Sequence, residues 1–123
     1  MDRNRFVSHV ENAVETIPET FSKYLENVVF MVEHEPDDET LDSMGIEYPE
    51  ELLGLYQGDP LTERSMDAWG MLPDRIVLYQ RPIELYAAEF NEPLISVIRD
   101  TILHEVGHFF GLTEEELERM GLD

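Results

Sequence analysis

The sequence predicts an α+β domain, and three observations carry that prediction. An apolar stripe at helical spacing opens the chain, β-branched and aromatic runs near residues 28–32, 52–57 and 76–80 read as strands, and a longer helical stripe follows at about residues 92–110. The length of 123 residues is one domain's worth on a prior of roughly 100–200, so 1–123 is read as a single domain.

Phe6, Val10, Val14 and Ile17 fall four, four and three apart, which is one face of an amphipathic helix over residues 3–17. Pro18 interrupts it, and 18–26 reads as a second short helix with Phe21, Tyr24 and Leu25 turned inward. The continuous run Val28-Val29-Phe30-Met31-Val32 reads as a buried strand. Residues 33–44 are acidic and turn-like. A second strand spans 52–57, closed by Gly58-Asp59-Pro60, and a third spans 76–80 after Leu72-Pro73-Asp74-Arg75. Residues 82–89 read as a helical turn. The long helix then carries Leu94, Ile98, Ile102, Val106 and Phe109 along one stripe, with Gly111 as its stop. Thr113-Glu114-Glu115-Glu116 matches a capping box that opens a last short helix to about Met120.

Charge is the unusual feature. Asp and Glu number 28 against 8 Lys and Arg, for a net −20, and Lys23 is the only lysine. Such a chain offers no basic face to neutralise phosphates, which argues against nucleic acid or an anionic membrane as a direct partner. It suits cationic partners, metal ions or a salty milieu. With no cysteine, a metal must be held by His, Asp or Glu. Arg3, Asn4 and Arg5 are not followed by an apolar leader and no run is long enough to span a bilayer, so the expectation is a cytoplasmic protein.

One motif carries sharp chemistry. His104-Glu105-Val106-Gly107-His108 is H-E-x-x-H, and it falls inside the longest predicted helix. At about 100° per residue, positions four apart lie about 40° apart and one turn up, so both imidazoles can reach one ion. Glu105 sits beside that face, placed to deprotonate a metal-activated water. Two imidazoles and a carboxylate suit zinc, one ion per chain, although iron, nickel or manganese accept the same set. A shuffled chain of this composition would match the motif with a probability of roughly 2%. Had the helix continued, residue 114 would lie about 15 Å along the axis from residue 104. A left-handed Gly111 can instead turn the chain back beneath the ion, making Glu114 the third-ligand candidate, with Glu118 or an upstream acid as alternatives. The bland account of Glu114 to Glu116 is that they favour the positive end of the last helix.

These residues, with Leu53-Gly54-Leu55-Tyr56-Gln57-Gly58, residues 60–65, 72–76 and 79–82, and the segment from Thr101 to Leu112, resemble the small zincin-like metallopeptidases of bacteria, sometimes called minimal zincins. The resemblance covers nearly the whole chain from residue 53. It implies a small mixed sheet of about three to four strands packed against a long active-site helix and N-terminal helices. It also implies the pattern H-E-x-x-H-x-x-G-x-x-D, whose last acid falls on Glu114, here one methylene longer. No Met-turn follows, and Met120 is expected to serve helix packing.

The other polar residues have ordinary roles beside any functional one. His9 reads as a surface or boundary residue, and His34 follows a predicted strand among acids, with a third-ligand role as its minor alternative. Asp100, four before His104, could accept an imidazole N–H, and Thr101 would leave room on the metal-facing side. Arg64 and Arg75 read as loop anchors, with oxyanion stabilisation as the alternative, and Tyr56 and Tyr79 as core tyrosines with the same alternative. The leading expectation is a zinc-dependent peptidase with Glu105 as general base, acting in a shallow cleft on a peptide or protein substrate, for which a cationic or extended peptide would suit the field. A non-catalytic, metal-stabilised acidic interaction module is the second reading, and an acidic mimic of nucleic acid the third.

Overall fold

The computed structural model describes residues 1–58 and 74–119. The first helix, α1 (Arg3–Glu15), is opened by Asp2, whose carboxylate accepts from the Arg5 backbone N–H at 2.9 Å, and it buries Phe6, Val10 and Ala13. A single turn, α2 (Glu19–Ser22), leads into β1 (Val28–Glu33). Phe21 and Tyr24 are not inward: they are 48% and 52% exposed and stand edge-on to the Phe110 ring. Four residues are too few to present a wide apolar face, so Leu25 alone is buried there.

The acidic stretch expected to be turn-like holds a helix, α3 (Asp38–Met44). Asp37 caps it by accepting from the Thr40 N–H at 2.8 Å, and Gly45 ends it at φ 67°. A 3₁₀ turn (Pro49–Glu51) delivers the chain to β2 (Gly54–Gln57), and β3 (Asp74–Tyr79) passes directly into α4 (Gln80–Glu89). Gln80, read as the end of a strand, is the first residue of α4. Pro82 in its opening turn lacks only an N–H that had no helical partner, so the segment runs on for ten residues rather than one turn. The longest helix, α5 (Leu94–Phe109), starts after Pro93, and α6 (Glu114–Arg119) follows it closely.

The three strands form a mixed sheet in the order β1-β3-β2, with β1 parallel and β2 antiparallel to β3. The buried strand is therefore the central β3, while β1 is an edge strand with Val29 44% exposed, a correction to the expected burial of residues 28–32. Alternation on β3 divides the core. Ile76 and Leu78 face α1, α4 and α5 with Phe6, Val10, Ile83, Ile98, Ile102 and Phe109, whereas Val77 and Tyr79 face Leu52, Leu55 and Ile46. The α+β class is what the sequence predicts, and a small mixed sheet against one long helix is what the resemblance implies. No helix among the described residues is long and apolar enough to cross a membrane.

Candidate metal centre

The site is built on the last two turns of α5 and the corner that follows. His104 and His108 stand one turn apart with ring centroids 4.9 Å from each other and planes at 81°. After Phe110 the chain leaves the helix through Gly111 at φ 86°. The Gly111 N–H donates to the His108 carbonyl at 2.9 Å and the Leu112 N–H to the Gly107 carbonyl at 3.0 Å, a Schellman pair that satisfies two of the last helical carbonyls. A side chain with a Cβ would strain at that φ, and without the left-handed turn the next residues would continue up the axis. Instead Thr113 caps α6: its N–H and hydroxyl both donate to the Glu116 carboxylate, and the Glu116 N–H donates to the Thr113 hydroxyl at 3.1 Å.

This corner swings Glu114 back over the histidines. Its Oε1 lies 2.7 Å from His108 Nε2 and 3.1 Å from His104 Nε2, and the two Nε2 atoms are 3.3 Å apart. The three atoms lie within 4.8 Å of one another, the group of this kind found among the described residues. For a tetrahedral ion with bonds of about 2.0–2.1 Å, ligand atoms are spaced by about 3.3 Å, so the cluster is of the right size. The donor set agrees: His108 Nδ1–H donates to the Leu112 carbonyl at 3.0 Å, which would leave the Nε2 lone pair to an ion when one replaces the proton there. Three lone-pair atoms so close repel unless a cation or a proton lies among them. For Glu114, partial burial pushes the carboxyl up, but the hydrogen bonds from His108 and His104 outweigh this and hold it below the usual range.

Glu105 is buried beside this cluster. Its Oε1 accepts from the Tyr56 backbone N–H at 2.8 Å, and its Oε2 lies 4.0 Å from His104 Nε2. Burial pushes its carboxyl above the ordinary value, against the opposing pull of His104, His108 and the Tyr56 N–H, and Glu114 adds to the rise. A carboxylate so placed is a better base than one in water. The cluster opens into a cleft of about 780 Å³ between α5 and β2, which runs past Asp100 to Glu51, Tyr86 and Glu92.

The other candidates fall away from this arrangement. Glu118 is exposed on α6 and outside the convergent group, while His9 on α1 and the exposed His34 do not join it. Thr101 is buried with its hydroxyl donating to the Val97 carbonyl at 2.8 Å. Asp100 is exposed in the cleft one turn before His104. Tyr79 lies on the far face of the sheet, where its hydroxyl meets Thr40 and burial pushes it up to about 12. Arg75 is exposed on β3, in register with Val29 and Gln57. Arg64, Met120 and the turn at Asp59-Pro60 lie outside the described residues.

Two contributions were not anticipated, the Tyr56 N–H and the Leu112 carbonyl, because backbone groups leave no mark in residue type. Gly54 did leave one, a glycine inside a strand-like run. A Cβ there would stand 2.7 Å from Thr101 Cγ2 and 3.2 Å from the Val77 carbonyl oxygen, so β2 can lie on α5 only as glycine. Gly54→Ala is expected to destabilise the chain by about 1–3 kcal/mol and to displace Glu105. Urea unfolding of the metal-free protein measures it, and an unchanged midpoint would contradict the close approach.

A family model described as zincin-like metallopeptidase matches residues 25–122. No curated protein matches the chain.

Proposed function

The chain belongs to the zincin-like metallopeptidase family, and from that premise we propose that it is a zinc-dependent peptidase whose single ion is held by His104, His108 and Glu114, with Glu105 as general base. The observation that carries the reading is the convergence of His104 Nε2, His108 Nε2 and Glu114 Oε1 beside a buried carboxylate at the mouth of a cleft. Zinc bound there would polarise the scissile carbonyl and acidify a water molecule.

The remaining work belongs to the side chains. Oε1 of Glu105 is anchored by Tyr56, so Oε2, the oxygen nearer His104, is the one free to take a proton from the attacking water. Returned to the departing nitrogen, that proton makes the amine a competent leaving group. The raised affinity of Glu105 for protons suits both transfers.

Support for the substrate class comes from the cleft. Among the described residues that line it, Glu51, Glu92, Asp100, Glu105 and Glu114 are acidic and none is Lys or Arg. A cationic peptide is drawn to such a field, whereas nucleic acid and anionic lipid are repelled. The Leu53 carbonyl accepts from the Tyr79 N–H, and Tyr56 donates outward to Glu105, so alternate groups of β2 face away from the sheet. An extended peptide could pair with those left over.

The test is a zinc titration of the chelated protein, followed by incubation with a library of cationic peptides. One zinc per chain is expected, with a rise in Tm of roughly 10 °C at a hundredfold excess over Kd, and chelator-sensitive cleavage. Zinc binding without cleavage of any peptide would defeat the hydrolase, and absence of zinc binding would defeat the metal centre.

A further inference from the structure

The Glu114 side chain is 70% exposed, so its own burial does not hold it over the histidines. Its helix, α6, has six residues, too few to be stable without packing. The capping box closes its first turn, and the Leu117 N–H donates to the Thr113 carbonyl at 2.9 Å, but neither contact ties α6 to α5. Apart from the contacts of Glu114 itself with His104 and His108, the tie among the described residues is Leu117, which is fully buried. It is three residues on from Glu114, near the same helical face, so seating Leu117 against α5 turns Glu114 the same way.

The seat is Gly107. A Cβ at this position would overlap Leu117 Cδ2, so the leucine occupies the notch that the missing side chain leaves. Gly107 lies next to His108, and its carbonyl accepts from the Leu112 N–H of the corner. A glycine inside a helix costs about 1 kcal/mol against alanine. Seating α6 accounts for that cost.

Taking Glu114 as the third ligand, which rests on the function proposed above, we infer that Leu117 is a positioning residue for the metal centre: seated in the Gly107 notch, it fixes α6 and so holds the Glu114 carboxylate over the two imidazoles. Leu117 touches neither metal nor substrate in this role. It sets the distance from the end of α5 to the carboxylate, which neither the length of Glu114 nor its exposure can do.

The experiment measures zinc affinity by chelator competition, and the visible spectrum of the cobalt(II)-loaded protein, for the full chain and its variants. Leu117→Ala is expected to weaken zinc binding by about 10–100-fold and to change the cobalt spectrum as Glu114→Ala does. Leu117→Met should restore affinity to within a few-fold. Leu41→Ala, a truncation in α3, should lower Tm and leave affinity unchanged, which separates positioning from general loss of packing. Gly107→Ala should weaken binding too, yet add nothing in the Leu117→Ala background, because the overlap is then gone. Wild-type affinity in Leu117→Ala, or losses that add in the double variant, would overturn this inference alone. A wild-type chain that binds no zinc would overturn the metal centre and this inference together.

Discussion

Glu105→Gln is expected to lower kcat for peptide hydrolysis by about 10²–10⁴-fold while zinc remains bound. The glutamine keeps an Oε1 that can accept from the Tyr56 N–H, and it leaves His104, His108 and Glu114 intact, so the loss isolates proton transfer from metal binding. The same substitution should make the metal-free protein more stable at neutral pH. Burial raises the Glu105 carboxyl above its unfolded value. A group shifted in that direction contributes stability below its unfolded pKa, and loses it as pH rises through the folded one. Above its unfolded value the native state therefore carries the cost of burying Glu105, either as an ionised carboxylate or as a proton taken up on folding, and glutamine carries neither. The gap in Tm between variant and wild type should be widest at neutral pH and shrink as the medium is acidified. Thermal melts of the chelated proteins across pH measure it, together with a peptide assay of the zinc-loaded forms. Unchanged hydrolysis would remove Glu105 from the chemistry. A variant less stable than wild type at pH 7 would mean that Glu105 is net favourable where it lies.

That opposition between stability and function explains which parts of the molecule were legible in the sequence. The apolar stripes of α1 and α5 specify their faces directly, because Phe6, Val10, Ile98 and Ile102 repeat with the helical period and are buried. The capping box at Thr113 and the glycine at 111 specify the corner that returns Glu114 to the histidines. The pattern of residues 28–32 misleads because a strand apolar on both faces looks the same at an edge as in the centre; only pairing distinguishes them, and β3 takes the central place. In α3 the acidic residues hide a helix whose signals, Asp37 before it and Gly45 after it, are local and present. The contacts that tune Glu105 and His108 run to backbone atoms of Tyr56 and Leu112. A backbone donor has no residue type, so proximity in the fold is its only trace.

Replacing both imidazoles, in His104→Ala combined with His108→Ala, is expected to weaken zinc binding by about 10³-fold or more and to abolish the zinc-dependent rise in Tm. Glu114 would then be left on an exposed helix end, one carboxylate among many. The alternative to be defeated is loose cation binding by the acidic coat, since a chain of net charge −20 attracts any divalent ion. Ionic strength separates the two accounts. At about 0.15 M salt, charges more than about 8 Å apart are largely screened, whereas coordinate bonds to His104, His108 and Glu114 would not be. Wild-type protein should keep its affinity in salt, and the double variant should show only weak, salt-sensitive binding. The variant also has a signature without metal. The hydrogen bonds from His108 and His104 hold the Glu114 carboxyl below its ordinary value, so in wild type this group adds stability above its unfolded pKa and loses it as pH falls through the folded one. The exposure of Glu114 keeps that contribution small. Without the imidazoles it vanishes, and the stabilities of the two chelated proteins should draw together as pH falls. A double variant that binds zinc as tightly as wild type, in salt, would place the ion elsewhere in the chain and leave the α5 histidines with only a structural role.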